Sequence, residues 1–381
     1  MHAGEASPCL AILSAYLTVT ERTGLRLRSK LALLLLVAGG VTASSIAGEA
    51  NPSKEAIFAP GSAPFATSHA STVVELKNGQ LMSAWFGGTA EGKPDVAIWA
   101  STKAAAGWSI PVELAREPGV PCWNPVLFHT KDGKLWLYYK FGPSPSTWAG
   151  ARKWSVDEGK SWSPAEHLPA GLLGPIRAKP LVLQDGTIVS GSSIEAYRSW
   201  AVWIERSTDG GGTWAKIGPI SIPVNQGPGV PPSAPGLSDF TDGIIQPSVV
   251  MLGKKHLRLY ARSTMQTARV VVADSYDDGV TWTQARPLDV PNPNAGIDAV
   301  ALRDGRVVLV YNNTTSGRTP LNLAVSSDGE RFSMFHTLED SPGEYSYPAM
   351  IQTASGDLEI TYTWNRKTIE HVHFPLADVP R

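Results

Sequence analysis

Six polar side chains stand at matching points of this chain: His69, Asn124, Lys179, Gln246, Asp298 and Tyr347. Each sits just before an apolar, β-rich stretch that turns back on itself, and their separations are 55, 55, 67, 52 and 49 residues. An imidazole and a phenol can act as an acid/base pair, and an amide such as Gln246 can orient a partner without accepting its proton. Such chemistry needs the groups in one place. A repeat of this length marks four-stranded units, and repetition brings equivalent residues to one spot.

The elements that must position them can be read unit by unit. Ser71 to Leu76, the turn Lys77-Asn78-Gly79, and Gln80 to Trp85 form a hairpin, because Asn-Gly and Asp-Gly supply the positive φ that tight turns need. The same grammar recurs at Asp132-Gly133, Asp185-Gly186, Gly253-Lys254-Lys255, Asp304-Gly305 and Ser355-Gly356-Asp357. A third strand follows each hairpin, and most end in Ser-x-Asp-x-Gly-x-x-Trp. That motif is complete at Ser155-Asp157-Gly159-Trp162, Ser207-Asp209-Gly211-Trp214 and Ser275-Asp277-Gly279-Trp282. Degenerate copies stand at Ser101 with Trp108 and at Ser326-Asp328-Gly329-Phe332, and successive copies are 54, 52, 68 and 51 residues apart. Ser and Asp side chains can bond nearby amides, so the motif reads as a structural turn rather than as catalytic machinery.

These motifs are Asp-boxes, and through them the chain resembles the Asp-box (BNR) repeat branch of the sialidase superfamily. The resemblance implies an all-β fold, a six-bladed β-propeller of four-stranded antiparallel blades over residues 60–381. The first strand of each blade then lies nearest the axis, so the six polar residues ring the mouth of a central channel. A blander reading stays open, since any strand that emerges from a loop can begin with a polar residue.

Site residues follow from the resemblance one position at a time. The nucleophilic tyrosine that opens the sixth blade falls on Tyr347, with Tyr345 fitting less well. The general acid/base falls on Asp95 in Glu91-Gly92-Lys93-Pro94-Asp95, with Glu91 as the second choice. Ala261-Arg262-Ser263 matches the second arginine, and Gly317-Arg318 before Leu321-Asn322-Leu323 matches the third. Two positions depart: His69 replaces the first arginine, and Gln246 replaces the glutamate behind the tyrosine. Arg262 and Arg318 would grip a carboxylated sugar through paired hydrogen bonds, with Asn124, Lys179 and Asp298 as further substrate-binding candidates. No metal or cofactor is expected, because no His, Asp or Glu set has zinc or EF-hand spacing.

Three functions remain open on these residues. One is a secreted, exo-acting glycoside hydrolase of sialidase type, working on a terminal acidic sugar through Tyr347 and Asp95. Another is a lyase acting on uronic-acid glycans through His69 and Tyr347, without need of Asp95. The third is a non-catalytic glycan-binding propeller. The Pro- and Gly-rich connection Pro219 to Asp242 would wall the binding face or be an insertion without function.

Composition bounds the rest. The 381 residues include 36 Gly, 30 Pro and 13 Trp with a net charge of −1, which suits a turn-rich β protein and argues against nucleic acid or anionic membranes as partners. Arg22, Arg26, Arg28 and Lys30 precede the apolar run Leu31 to Val41 and small residues near Ala43. Residues 1–48 therefore read as a signal peptide with a long leader, implying a secreted or periplasmic protein. Left uncleaved, the run would be a membrane anchor. Only Cys9 and Cys122 are present, and Cys122 reads as a buried structural thiol rather than a nucleophile.

Overall fold

Alternating apolar residues make the hairpins fold into antiparallel meanders, each built from consecutive strands. The computed structural model describes residues 52–196, 199–222 and 242–381, all within the unit Glu49–Arg381. The expected signal segment 1–48 lies outside the described residues, as do 223–241 of the Pro219–Asp242 connection.

The first meander runs Thr67–Glu75, Leu81–Gly88 and Ala97–Ala104, with Gly107–Trp108 and Val112–Ala115 on its outer edge. Cys122–His129, Leu135–Phe141, Ala149–Ser155 and Glu166–His167 form the second. Leu181–Val182, Ile188–Ala196, Ser199–Ser207 and Ala215–Ile220 follow. Next come Asp242–Gly253, His256–Ser263, Arg269–Ser275 and Arg286–Pro291, then Asp298–Ala301, Val307–Tyr311, Leu321–Ser326 and Ser333–Glu339. Tyr345–Gln352, Leu358–Trp364 and Thr368–Phe374 end the series. The third and fourth meanders share one eight-stranded sheet, joined in parallel at Ser199↔Asp242 and Trp200↔Gly243.

The last meander takes its outer strand from the start of the described chain. Ser53–Ala56 pairs antiparallel with Thr368–Phe374, Ser53 opposite His373. The boundary expected at residue 60 therefore missed this strand. All four of its residues are exposed, so it carries no apolar alternation to reveal it.

Consecutive meanders pack face to face. Ala84, Phe86 and Ile98 of the first meet Leu127, Leu137 and Tyr139 of the second. Val250, Tyr260 and Val272 meet Ala299, Leu309 and Ala324, whereas Val308, Val310 and Leu323 meet Met350, Ile360 and Tyr362. Polar cross-links join neighbouring meanders as well: Thr72 Oγ1 accepts from Leu127 N at 3.2 Å, and Ser193 Oγ, on a second strand, accepts from Gln246 N at 3.2 Å.

The Asp-boxes are closed turns. Asp157 accepts from Ser161 Oγ at 2.6 Å, Ser161 N at 2.9 Å and Ser155 Oγ at 2.7 Å, while Trp162 Nε1 donates to Gly159 O at 3.1 Å. The same bonds recur around Asp277. The hydrogen bonds from Ser161 hold the Asp157 carboxyl at about 2, below its ordinary 3.8, and those from Thr281 hold Asp277 at about 2. A carboxyl depressed in the fold stabilises above its unfolded value and loses that contribution as pH falls through the folded value. Stability should therefore decline as pH drops from 3.8 towards about 2. Urea midpoints for the wild type and an Asp157→Asn, Asp277→Asn double variant check this, and an equal decline in both would assign the effect to other carboxylates.

Candidate active site around Tyr347

Backbone bulges aim the central side chains. In four first strands the ladder breaks, between His69 and Thr72, Trp123 and Val126, Ile245 and Ser248, and Ser346 and Ala349. One residue in each break is left-handed: Ala70 at φ 57°, Asn124 at 32°, Gln246 at 56° and Tyr347 at 52°. A non-glycine residue there costs about 1–2 kcal/mol, a strain found where a bulge re-aims a side chain. Ala70, not His69, is thus the counterpart of Tyr347. Three bulges carry the residue before a proline (Pro125, Pro247, Pro348), whereas the first has Ser71 there, so nothing in its sequence fixed the register to one residue.

Tyr347, Gln246 and Arg262 form one hydrogen-bonded group. Arg262 Nη1 donates to Tyr347 Oη at 2.9 Å and to Gln246 Oε1 at 3.2 Å, and Gln246 Nε2 donates to the same phenol oxygen at 3.2 Å. Arg262 Nε is held by Asn294 Oδ1 at 2.7 Å. Two donors therefore converge on Tyr347 Oη, so negative charge developing on that oxygen would be met at once.

Three guanidinium carbons surround the Tyr347 ring, those of Arg318 at 5.5 Å, Arg177 at 5.8 Å and Arg262 at 5.9 Å from its centroid. Arg318 Nη1 bonds Glu344 Oε1 at 2.9 Å, and Arg366 bridges Glu344, at 2.9 Å to Oε2, and Glu91. Among the described residues Arg177, 1% exposed, bonds only backbone carbonyls, of Pro348 at 2.6 Å and of Ile297, and its buried Nε has no partner. Gly296 lies beside both side chains: a Cβ there would be in ordinary contact, 3.4 Å from Arg177 Cδ and 3.5 Å from Tyr347 Cδ2.

His69 closes another side. Its ring centroid is 4.3 Å from that of Tyr347, and its Nδ1 shares a 2.9 Å hydrogen bond with Thr363 Oγ1, which also accepts from Ala70 N. Burial, followed by the charges of Arg366, Arg318, Arg262 and Arg177, pushes the imidazole well below its ordinary 6.5. It is therefore neutral at neutral pH.

Other sequence candidates stand elsewhere. Asp95, expected as the acid/base group, shares no hydrogen bond or ion pair with the cluster among the described residues: it is exposed, and its Oδ2 accepts from Thr89 N at 2.7 Å and Thr89 Oγ1 at 2.6 Å, closing a local turn. Those bonds hold it below its ordinary value. Glu91, the second choice, reaches the cluster through Arg366. Lys179 and Asp298 find each other, Nζ to Oδ2 at 3.0 Å, rather than standing free for a ligand. Asn124 is buried at its bulge, and Tyr345 lies in the apolar core. Burial pushes the Cys122 thiol up to about 12, which makes it a poor nucleophile.

Sequence reasoning missed Arg177, Arg366, Glu344 and Asn294. A signal existed for Arg177, which precedes Lys179 by two residues. None existed for Arg366, which sits in a turn at φ 55° far from any motif. Among the described residues no group of three or more His, Cys, Asp or Glu side chains is placed to share a metal ion.

Comparison with known proteins follows the same lines. The family described as BNR repeat-like domain matches residues 79–360. In structure the chain is similar to the NanB sialidase of Streptococcus pneumoniae, with TM-score 0.68 and 15% identity over 86% of this chain and 71% of that one. A protein of unknown function from Dyadobacter fermentans gives 0.67 and 17%, covering 81% and 94%. The leech intramolecular trans-sialidase, solved with 2,7-anhydro-Neu5Ac, gives 0.66 and 13%, covering 86% and 71%. No curated protein matches by sequence.

Proposed function

The chain belongs to the BNR repeat-like domain family, and on that premise we propose that it is an exported, sialidase-like glycoside hydrolase that removes a terminal carboxylated sugar from a glycan. The all-β antiparallel fold with sialidase-like neighbours is read further as a six-bladed β-propeller. In that reading the eight-stranded sheet is two blades, since only two residue pairs join them, and Ser53–Ala56 fastens the last blade to the start of the domain. Export rests on the basic and apolar residues before residue 48.

One observation carries the substrate class. Arg177 and Arg262 are 1% and 8% exposed, flank Tyr347, and among the described residues have only neutral groups as hydrogen-bond partners. Buried charge with no counter-ion hydrogen-bonded to it is costly, and Asp298 acts on Arg177 only through space. A ligand carboxylate beside Tyr347 would supply the missing anion, and the planar forks suit it. Tyr347 Oη then attacks the sugar carbon that bears the leaving oxygen, its own proton passing to solvent while the departing oxygen takes one from an acid, with Arg262 donating to the attacking oxygen. Neutral His69 leaves that arrangement undisturbed. Water later releases the sugar from Tyr347, in the manner of glycosidases with a tyrosine nucleophile.

A second reading is favoured by His69 itself. A neutral imidazole packed on Tyr347 is a base, and with a uronate held by the arginines it would abstract a proton beside the carboxylate and eliminate the aglycone. A panel of sialosides and uronate-containing glycans, assayed for released sugar and for unsaturated product, separates the two. Released acidic sugar without unsaturation is expected. Unsaturated product would establish the lyase instead, and no product from any glycan would leave the binding-only reading.

A further inference from the structure

Resting on the hydrolase reading, we propose that Glu195 is the group that gives its proton to the departing glycosidic oxygen, the place expected from sequence for Asp95. Three placements support it. Glu195 lies opposite Trp200 in the antiparallel pair Ile188–Ala196 with Ser199–Ser207, so the two side chains share one face of the sheet. The Trp200 ring is 5.7 Å from the Arg262 guanidinium carbon, which puts that face towards Arg262 and, through it, Tyr347 Oη at 2.9 Å. Ser193, two residues earlier on the same strand and hence on the same face, accepts from the backbone N of Gln246 at 3.2 Å. Glu195 therefore stands about 7 Å further along a strand that already touches the bulge holding Gln246.

The surrounding carboxyls narrow the choice. Asp95 is engaged by Thr89. Glu91 is paired with Arg366, and Glu344 with Arg318 and Arg366, whose bonds and charges outweigh burial and hold the Glu344 carboxyl below its ordinary value. Asp298 is filled by Lys179, Ser248 and the Met350 amide. Glu195 has no salt bridge within reach among the described residues, and burial, with Glu91 adding to it against Arg262, raises its carboxyl above the ordinary value. A shift in that direction favours the acid form, which is what the first step requires.

The step balances with no outside reagent. The Glu195 proton passes to the leaving oxygen, which keeps the bonding pair from the broken C–O bond, and Tyr347 Oη forms the new bond to carbon as its own proton passes to solvent, from which the phenol takes one back when its bond to the sugar breaks. In the second step the Glu195 carboxylate takes a proton from the attacking water as the C–O bond to Tyr347 breaks. A proton donor matters most when the leaving oxygen is a poor one.

The test compares 3′-sialyllactose, whose leaving sugar needs a proton, with 4-nitrophenyl α-sialoside, whose phenol does not. For Glu195→Gln, kcat/KM on sialyllactose should fall about 10²–10⁴-fold, while that on the nitrophenyl glycoside falls less than about tenfold. Glu91→Gln is run alongside, and melting temperatures confirm that both variants fold. Equal loss on the two substrates, or no loss, would overturn the assignment, and a leaving-group-dependent loss in Glu91→Gln alone would move it there. If the wild type cleaves neither compound, the sialoside reading falls and takes this proposal with it. If only Glu195→Gln fails to discriminate, the hydrolase reading stands and the assignment alone is lost.

Discussion

Replacing Asp298 with alanine is expected to destabilise the fold by about 3–5 kcal/mol, a large share of what holds a domain together. The residue is 1% exposed. Its Oδ1 accepts from Ser248 Oγ at 2.6 Å and Ala299 N at 3.0 Å, and its Oδ2 from Lys179 Nζ at 3.0 Å and Met350 N at 2.9 Å. One carboxylate thus ties the start of the third meander to the first strands of the fourth, fifth and last. Burial by itself would raise the Asp298 carboxyl, but the charges of Lys179 and Arg177 and these bonds outweigh it and hold it below the ordinary 3.8. Truncation strands a half-buried ammonium, a buried hydroxyl and a buried amide together, and it removes the counter-charge that Arg177 feels.

Asp298→Asn keeps the shape and one acceptor but loses the charge, so an intermediate loss is expected. Urea unfolding with an unchanged slope is the measurement. A loss below about 1 kcal/mol for the alanine variant would mean that the inner strands hold without this carboxylate.

What could be read from sequence divides along physical lines. Turns and boxes are local: Asn-Gly, Asp-Gly and Ser-x-Asp-x-Gly specify their own geometry, so the hairpins and the Asp157 and Asp277 turns lie where they were expected. The exposed strand Ser53–Ala56 is specified by its partner, not by itself, and was invisible. Side chains around Tyr347 and Asp298 belong to a third kind. Tyr347, Gln246, Arg262 and Arg318 were picked out and are gathered together, but Lys179 and Asp298 were picked out by the same rule and turn out to satisfy each other. Whether a polar residue faces a ligand or a neighbour depends on charges brought from other meanders, and the sequence of one meander does not contain them. Arg177 shows the same limit, because its partners Ile297 and Pro348 are 120 and 171 residues away.

Tyr347→Phe should abolish turnover while sparing the fold. The hydroxyl is the only part removed, and the ring keeps its places beside His69 and the three guanidinium groups. Arg262 and Gln246 lose a shared acceptor but retain each other at 3.2 Å, so the stability change should stay near about 1 kcal/mol. Loss of the nucleophile should lower kcat by about 10³-fold or more. Arg262→Lys keeps the charge but not the fork that reaches Tyr347, Gln246 and Asn294 at once. It should raise KM and lower kcat together, by about 10²–10³-fold in kcat/KM. A glycan-binding protein without chemistry predicts the opposite ordering, with Arg262→Lys weakening affinity and Tyr347→Phe leaving it almost unchanged. Steady-state kinetics and calorimetric binding on the two variants distinguish these cases, and a Tyr347→Phe enzyme retaining turnover within about tenfold of the wild type would exclude Tyr347 as the attacking group.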